Sequence, residues 1–127
     1  MKGERGLSIM VWSCDLKTPQ RAATPFVVAQ AAAALDLRVE MLFTAQAVML
    51  MLVEHQDQVI GFGGGGLPLR EHLKSCSSMG VEMYACSQAL AGLGLEREHL
   101  VEQCIGLGGT VAFVERAHDE AWRTLVF

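Results

Sequence analysis

The sequence has few of the residues that mark nucleic-acid binding. Its 127 residues include ten lysines and arginines against fourteen aspartates and glutamates, and the formal net charge is −4. The basic residues of the N-terminal part, Lys2, Arg5, Lys17 and Arg21, are scattered rather than clustered. Nucleic-acid-binding domains concentrate positive charge on one surface. We therefore expect no nucleic-acid partner.

Long hydrophobic runs are also missing. The longest apolar stretch, residues 41–53, contains Thr44 and Gln46 and falls short of the roughly 20 residues that a transmembrane helix needs. The apolar segment that follows Lys2 ends near Ser13, too soon for a signal-peptide core of about 7–15 residues. These features predict a cytoplasmic protein with no membrane partner.

Close pairs of metal ligands do not occur either. The histidines are isolated and the cysteines form no Cys-x-x-Cys pair of the kind that zinc sites use. We expect no metal and no organic cofactor. In a reducing cytoplasm the cysteines are thiols by default; they are Cys14, Cys76, Cys86 and Cys104.

Apolar residues, by contrast, are abundant. They make up 51% of the chain, and the mean hydropathy is +0.30, so one domain with a substantial core is expected. Strand-like runs near residues 7–12, 39–43, 81–85 and 110–114 alternate with helix-like runs. The predicted helices cover residues 26–35, 46–54, 69–79, 87–91, 96–105 and 117–126, the first with Thr24 as N-cap and Pro25 at the first helical position. The alternation predicts a three-layer α/β/α fold with a mainly parallel sheet of four or five strands.

Two segments have an unusual composition. Residues 61–66 hold five glycines, but they lack the Gly-Lys-Ser/Thr ending of a P-loop and follow only a weak strand. We expect a mobile flap near the carboxyl edge of the sheet rather than a phosphate-binding loop. Residues 45–53 carry more apolar side chains than one helix face can bury, which predicts self-association.

Cys86 stands where the strand-like run 81–85 gives way to a helix-like run. In α/β proteins this junction lies at the carboxyl edge of the sheet, where ligands bind, and unpaired N–H groups of a first helical turn favour thiolate over thiol. The alternative is a buried structural cysteine. Cys14 also ends a strand and would approach Cys86 if the two strands were neighbours. Cys104 is expected in a helical core.

The pattern resembles the DsrE/DsrF-like sulfur-relay family over nearly the whole chain. The resemblance is carried by the alanine-rich helix after the first strand, by Val39-Glu40-Met41-Leu42-Phe43-Thr44, by the loop and helix of residues 61–79, and by Gly80-Val81-Glu82-Met83-Tyr84-Ala85-Cys86-Ser87. It implies one DsrE/F-like α/β domain over residues 1–127. It also implies that Cys86 accepts sulfane sulfur as a persulfide and passes it to a partner protein.

The resemblance further implies homo-oligomers, trimers or hexamers, and partners that are sulfur-carrier or rhodanese-like proteins. Some relatives carry a second cysteine ten residues upstream, the spacing of Cys76. Strand and helix rises place Cys76 near the opposite end of the sheet from Cys86, so we expect at most an accessory role, through a neighbouring subunit or by modulation. Two other functions stay open: a noncatalytic interaction subunit of a sulfur-metabolism complex, and a nucleotide-binding half-Rossmann domain built on the glycine run.

Overall fold

A computed structural model describes residues 5–127. Lys2, which entered the charge and signal-peptide arguments, lies outside the described residues. Seven strands occur in this part of the chain, five of them in one parallel sheet. They are β1 (Gly6–Val11), β2 (Arg38–Phe43), β3 (Val59–Ile60), β4 (Leu67–Pro68), β5 (Glu82–Cys86), β6 (Cys104–Gly108) and β7 (Trp122–Val126). The sheet order is β6-β5-β2-β1-β7, and β3 pairs with β4 in a separate antiparallel hairpin.

Four α-helices connect the strands of the sheet. They are α1 (Pro19–Ala34), α2 (Leu69–Ser78), α3 (Ser87–Gly92) and α4 (Thr110–Ala117), with 3-10 helices at Ala45–Met51, Val53–His55, Gly63–Gly65 and Arg97–His99. The expected α/β class and parallel sheet are confirmed, and the sheet has five strands.

The two faces of the sheet are covered very unequally. The steps from β1 to β2, from β2 to β5 and from β5 to β6 all run in one direction across the sheet, so right-handed crossovers put α1, α2 and α3 on the same face. The return from β6 to β7 runs the other way and leaves the opposite face to α4 alone. Ile9, Met41 and Met83 on the well-covered face are fully buried, whereas α4 has no buried residue. Part of the second face is therefore open.

The first helix begins earlier than predicted. Thr18 is its N-cap and Pro19 its first residue, whereas Pro25 lies inside the helix. The prediction of a start at Thr24 and Pro25 is wrong because two Thr-Pro pairs occur in this segment and the first one provides the start. Pro25 has no N–H to donate four residues back, and this leaves the carbonyl of Arg21 free for another partner.

The C-terminal third differs most from the prediction. Residues 110–114 form the first part of α4 rather than a strand, residues 104–105 begin β6 rather than ending a helix, and residues 122–126 form β7 rather than a helix. Residues 110–114 are rich in β-branched residues, which favours a strand. They form a helix instead, and Gly109, which immediately precedes them, is its N-cap. β6 was missed because its sequence, Cys-Ile-Gly-Leu-Gly, contains two glycines.

The glycine run is the tip of the β3–β4 hairpin. The N–H of Gly61 donates to the carbonyl of Pro19 at 3.1 Å, and this bond holds the hairpin against the start of α1, on the carboxyl side of β1. Gly63, Gly64 and Gly65 are exposed. The predicted location near the carboxyl edge agrees with this contact, and the mobility of the run stays a prediction.

The apolar segment 45–53 is buried within the single chain. Ala47, Val48, Leu50 and Met51 are all fully buried, and Val53 is the exposed apolar residue at its end. The segment forms a 3-10 helix that packs beside β5 and α3. It therefore needs no second subunit to cover it, and the composition argument for self-association does not hold for this segment.

Candidate functional site

Cys86 is both the last residue of β5 and the N-cap of α3. Its backbone is extended, with φ −67° and ψ 123°, and the helix begins at the next residue. Met83 and Ala85 point into the core of the well-covered face, so strand alternation turns Tyr84 and Cys86 toward the open face. The residue is only 4% exposed. The predicted position at the carboxyl edge is confirmed by the strand and helix bounds.

The surroundings of Cys86 favour the thiolate. Burial raises the pKa of the thiol. Hydrogen bonds from the Thr44 hydroxyl and from the backbone N–H groups of Ala89 and Gln88 lower it, and together they outweigh burial, so the pKa lies below the usual cysteine value. Thr44 reaches the sulfur because it follows Phe43, which pairs with Ala85 across β2 and β5. A hydroxyl and two N–H groups converge on one sulfur, an arrangement that stabilises negative charge there.

A cleft, here called the α4 cleft, opens between the exposed sheet face and α4. Its volume is about 510 Å³. Leu42, Tyr84 and Gly108 line its floor, and Ala112 and Phe113 line its wall. Gly108 pairs with Cys86 across β5 and β6, so the upper end of the floor adjoins the cysteine.

Gly108 keeps the floor of the α4 cleft low. A Cβ at this position would meet Leu42 Cδ1 at 3.2 Å and Tyr84 Cβ at 3.3 Å, closer than ordinary van der Waals contact. Burial, and then the carboxylates of Glu82 and Glu40, raise the pKa of Tyr84. Its phenol therefore stays neutral at physiological pH.

An ion pair closes the lower end of the α4 cleft. Arg116 of α4 donates from Nε and Nη2 to the two carboxylate oxygens of Glu40 at 3.0 and 2.7 Å. The Arg116 guanidinium carbon also lies 3.9 Å from the centroid of the Trp122 ring. Arg38 links Glu40 to Glu82 at distances of 3.5 and 3.2 Å. These contacts attach the single helix of the open face to three strands.

Cys76 lies in the core between α1 and α2 and is fully buried. Burial raises the pKa of its thiol to about 12, against a smaller lowering by Gln30, and Sγ contacts the carbonyl of Phe26 at 3.7 Å. Cys86 faces the opposite side of the sheet, so the structure does not bring the two thiols together within one chain.

Cys14 and Cys104 also lie apart from Cys86. The strand of Cys14, β1, is separated from β5 by β2, so the condition for its approach to Cys86 is not met. Its Sγ donates to the Arg21 carbonyl at 3.4 Å, the carbonyl that Pro25 leaves free. Cys104 begins β6 opposite Met83 rather than lying in a helix, and it is half-buried. Burial is the largest cause of the raised pKa of both thiols.

Several residues around the cysteine were not identified from the sequence. Thr44 carried a detectable signal, since it directly follows the strand of residues 39–43 and strand ends meet at one edge of a parallel sheet. Glu40 and Arg116 carried none, because their pairing depends on α4, whose segment was misread as a strand. Residues 5–127 contain no group of three or more His, Cys, Asp or Glu side chains that could hold a metal ion. None of the helices within that range is long and apolar enough to cross a membrane.

Comparisons with known proteins agree on the fold. A sequence profile of the DsrE/DsrF-like family matches residues 10–127. No curated protein matches the sequence. Solved structures with the same fold include the ychN protein from E. coli, which is 16% identical with a TM-score of 0.69 and matches over 97% of this chain and 99% of its own.

Two further solved structures share the fold, and both are described as proteins of unknown function. MTH1491 from Methanobacterium thermoautotrophicum is 17% identical, with a TM-score of 0.67 over 97% of this chain and 99% of its own. BT1422 from Bacteroides thetaiotaomicron is 11% identical, with a TM-score of 0.67 over 95% of this chain and 94% of its own. At these identities the likeness concerns the fold alone.

Proposed function

Because the chain belongs to the DsrE/DsrF-like family, which is associated with sulfur relay, we propose that it holds sulfane sulfur as a persulfide on Cys86 and passes it to a partner thiol. The observation that carries the proposal is the environment of Cys86 at the carboxyl edge. Its pKa is lowered by the Thr44 hydroxyl and two backbone N–H groups, which outweigh the effect of burial. The thiolate is the nucleophilic form of cysteine.

The proposed reaction is a pair of thiol exchanges. The Cys86 thiolate attacks the terminal sulfur of a donor R–S–SH and forms a new S–S bond to it, while the S–S bond of the donor breaks and R–S⁻ leaves with the electron pair. An acceptor thiolate then attacks the same sulfur and releases the Cys86 thiolate. No net oxidation occurs, so the cycle needs neither a metal nor an organic cofactor.

The N–H groups that stabilise the thiolate also suit the persulfide. Hydrogen bonds from Gln88 and Ala89 face the sulfur where negative charge returns when the acceptor takes the terminal atom. Cys76 has no part in the proposed step, because its thiol is fully buried and stays protonated with a pKa of about 12. The relay is therefore built on Cys86 alone.

The partners belong to the same proposal. The acceptor is a protein thiol of a sulfur-carrier or rhodanese-like protein, and a reducing compartment such as the cytoplasm keeps Cys86 free to react. Self-association is supported by exposed apolar side chains on the hairpin, Val59, Phe62 and Leu67, rather than by residues 45–53. Light scattering at micromolar concentration tests it, and a monomer would contradict it.

The experiment that tests the function is intact mass spectrometry before and after incubation with a persulfide or polysulfide donor. We expect one added sulfur, about 32 Da, which a reductant removes and which appears on an acceptor thiol added in excess. Loading without transfer to any thiol would reduce the protein to a sulfur store. No loading with any donor would favour an interaction subunit whose cysteine is incidental.

A nucleotide-binding half-Rossmann domain is the weaker alternative. In that fold the glycine loop joins a parallel strand of the sheet to the helix that follows it. Here the glycines connect β3 to β4, two short strands of an antiparallel hairpin outside the main sheet. No observation on the glycine run favours phosphate binding over a surface hairpin.

A further inference from the structure

The α4 cleft has the size and lining of a small-molecule site. Its volume of about 510 Å³ lies within the roughly 300–1,000 Å³ typical of such sites. Leu42, Tyr84 and Phe113 provide an apolar middle, and Gly108 leaves room that a larger residue would fill. An organic body with an apolar or aromatic part fits this lining.

One end of the α4 cleft lies beside Cys86, which adjoins the lining residues without being one of them. Tyr84 lies two residues before Cys86 on the same side of β5, and Gly108 lies opposite Cys86 on β6. The other end lies at Glu40, which pairs with Glu82, four residues before Cys86. Four residues of strand span about 13 Å, enough for an elongated small molecule with its sulfur at Cys86.

The wall of the α4 cleft carries unbalanced negative charge. Glu40, Glu115 and Asp119 line it together with one cation, Arg116. Arg116 is bound to Glu40 by two hydrogen bonds, while neither Glu115 nor Asp119 has an ion-pair partner among residues 5–127. A cleft of this charge repels anionic sulfur donors and attracts a donor that carries a cation.

Ser8 is a second and independent feature of the same site. Ser8 is the one polar residue of the described chain that is buried, with 4% exposure. It lies on the floor of the α4 cleft and pairs with Glu40 across β1 and β2. Its hydroxyl has no hydrogen-bond partner among residues 5–127. That hydroxyl is not among the fully buried unpartnered side-chain atoms of the described chain, which are His55 Nε2 and Gln56 Oε1, so it is open to the α4 cleft, where a polar group at the far end of a bound molecule would hydrogen-bond to it.

We propose that the α4 cleft binds the sulfur donor of Cys86, a low-molecular-weight organic persulfide with an apolar body and a terminal amine. This inference rests on the proposed persulfide chemistry and specifies its substrate class. The amine lies near Glu115 and Asp119, the body lies on Leu42 and Tyr84, and the terminal sulfur lies at Cys86. The Cys86 thiolate takes that sulfur, and the organic thiolate leaves through the open side of the cleft.

The test compares two donors of matched shape and opposite charge, the persulfides of 4-(aminomethyl)benzyl mercaptan and of 4-carboxybenzyl mercaptan. Inorganic polysulfide serves as a small donor that does not need the cleft. Loading rates of Cys86 are measured by intact mass for wild type, Ala112→Phe, which fills the cleft from an exposed helix position, and Glu115→Gln. Glu102→Gln, an exposed carboxylate outside the lining, is the matched control.

We expect wild type to load from the amine donor about tenfold faster than from the carboxylate donor at low salt, with a smaller ratio at high salt. Ala112→Phe should slow loading from the amine donor about tenfold more than it slows loading from polysulfide. Glu115→Gln should reduce the preference and Glu102→Gln should not.

Equal wild-type rates for the two organic donors would overturn the inference, and this comparison requires no variant to fold. Loading from polysulfide alone would also overturn it while leaving the proposed function intact. Failure of every donor would remove the proposed function itself.

Discussion

Arg116 binds Glu40 through two hydrogen bonds, 3.0 and 2.7 Å long, and thereby attaches α4 to the centre of the sheet. α4 contributes no buried residue, so this pair and the stacking of Arg116 on Trp122 replace the apolar packing that usually fixes such a helix. The hydrogen bond to Glu40 is the main cause of the raised pKa of Arg116.

Arg116→Ala should destabilise the protein, because it leaves the half-buried Glu40 with only the more distant Arg38. Hydrogen bonds to charged groups contribute roughly 1.5–3 kcal/mol, and the partial exposure of the pair puts the expected loss at the lower end of this range. Urea unfolding measures the change. Arg123→Ala, an exposed arginine of the neighbouring strand, is the control, and equal effects of the two variants would contradict the role given to the pair.

Gly6→Ala should destabilise β1 and β7. A Cβ at Gly6 would lie 2.5 Å from the Trp122 ring, and Trp122 is buried, so ring or strand must move. Overpacking of this kind costs about 1–3 kcal/mol. Gly64→Ala, where a Cβ meets nothing within 4 Å, provides the comparison in thermal unfolding. If the Gly6→Ala protein is as stable as Gly64→Ala, the Trp122 ring moves aside at little cost in free energy and the prediction is contradicted.

Thr44→Val should make Cys86 less reactive at neutral pH. The Thr44 hydroxyl lowers the pKa of the thiol, so its removal raises that pKa and decreases the thiolate fraction at any pH below it. Alkylation by iodoacetamide should slow by up to about tenfold near neutral pH and reach the wild-type rate at high pH, where both thiols are ionised. Thr44→Ser should restore the rate.

Thr24→Val is the remote control for this series, since Thr24 bonds only the Gln20 carbonyl at 3.0 Å. A pH profile that Thr44→Val shifts no more than Thr24→Val does would remove Thr44 from the site.

Cys76 should be unreactive in the folded protein. Its side chain is fully buried and its pKa is raised to about 12, so neither access nor ionisation favours attack. Native alkylation should modify Cys86 before Cys76, and Cys76→Ser should retain persulfide loading. Slower sulfur transfer in Cys76→Ser, with an unchanged unfolding free energy, would instead support the accessory role that its spacing from Cys86 implied.

The sequence predicted the first two-thirds of the fold well, because its signals there are local and agree with one another. Residues 7–11, 39–43 and 82–85 are strands in both the prediction and the structure. The prediction failed in the C-terminal third, where the composition of a segment favours a different secondary structure from the one it adopts in the fold. Residues 110–114 have strand-like composition but follow Gly109 as a helix, and β6 contains two glycines because Gly106 and Gly108 lie against Tyr84.

The candidate site was predictable at its nucleophile and not in its surroundings. Cys86 was identified because a strand-to-helix junction is visible in one continuous segment. The α4 cleft was not, because it depends on β6 and β7 occupying opposite edges of the sheet and on α4 crossing the face between them. Ser8, Glu40 and Arg116 meet there from three distant parts of the chain, and sequence spacing carries no information about that meeting.

The most direct test of the central claim is donor-dependent mass gain in the four cysteine-to-serine variants, measured on folded protein with a persulfide donor. Serine is nearly isosteric with cysteine but is not ionised near neutral pH, so Cys86→Ser should gain no sulfur. Cys14→Ser, Cys76→Ser and Cys104→Ser should each gain about 32 Da that a reductant removes. Full loading of Cys86→Ser, with loss of loading in one of the other three variants, would contradict the assignment of the sulfur to Cys86.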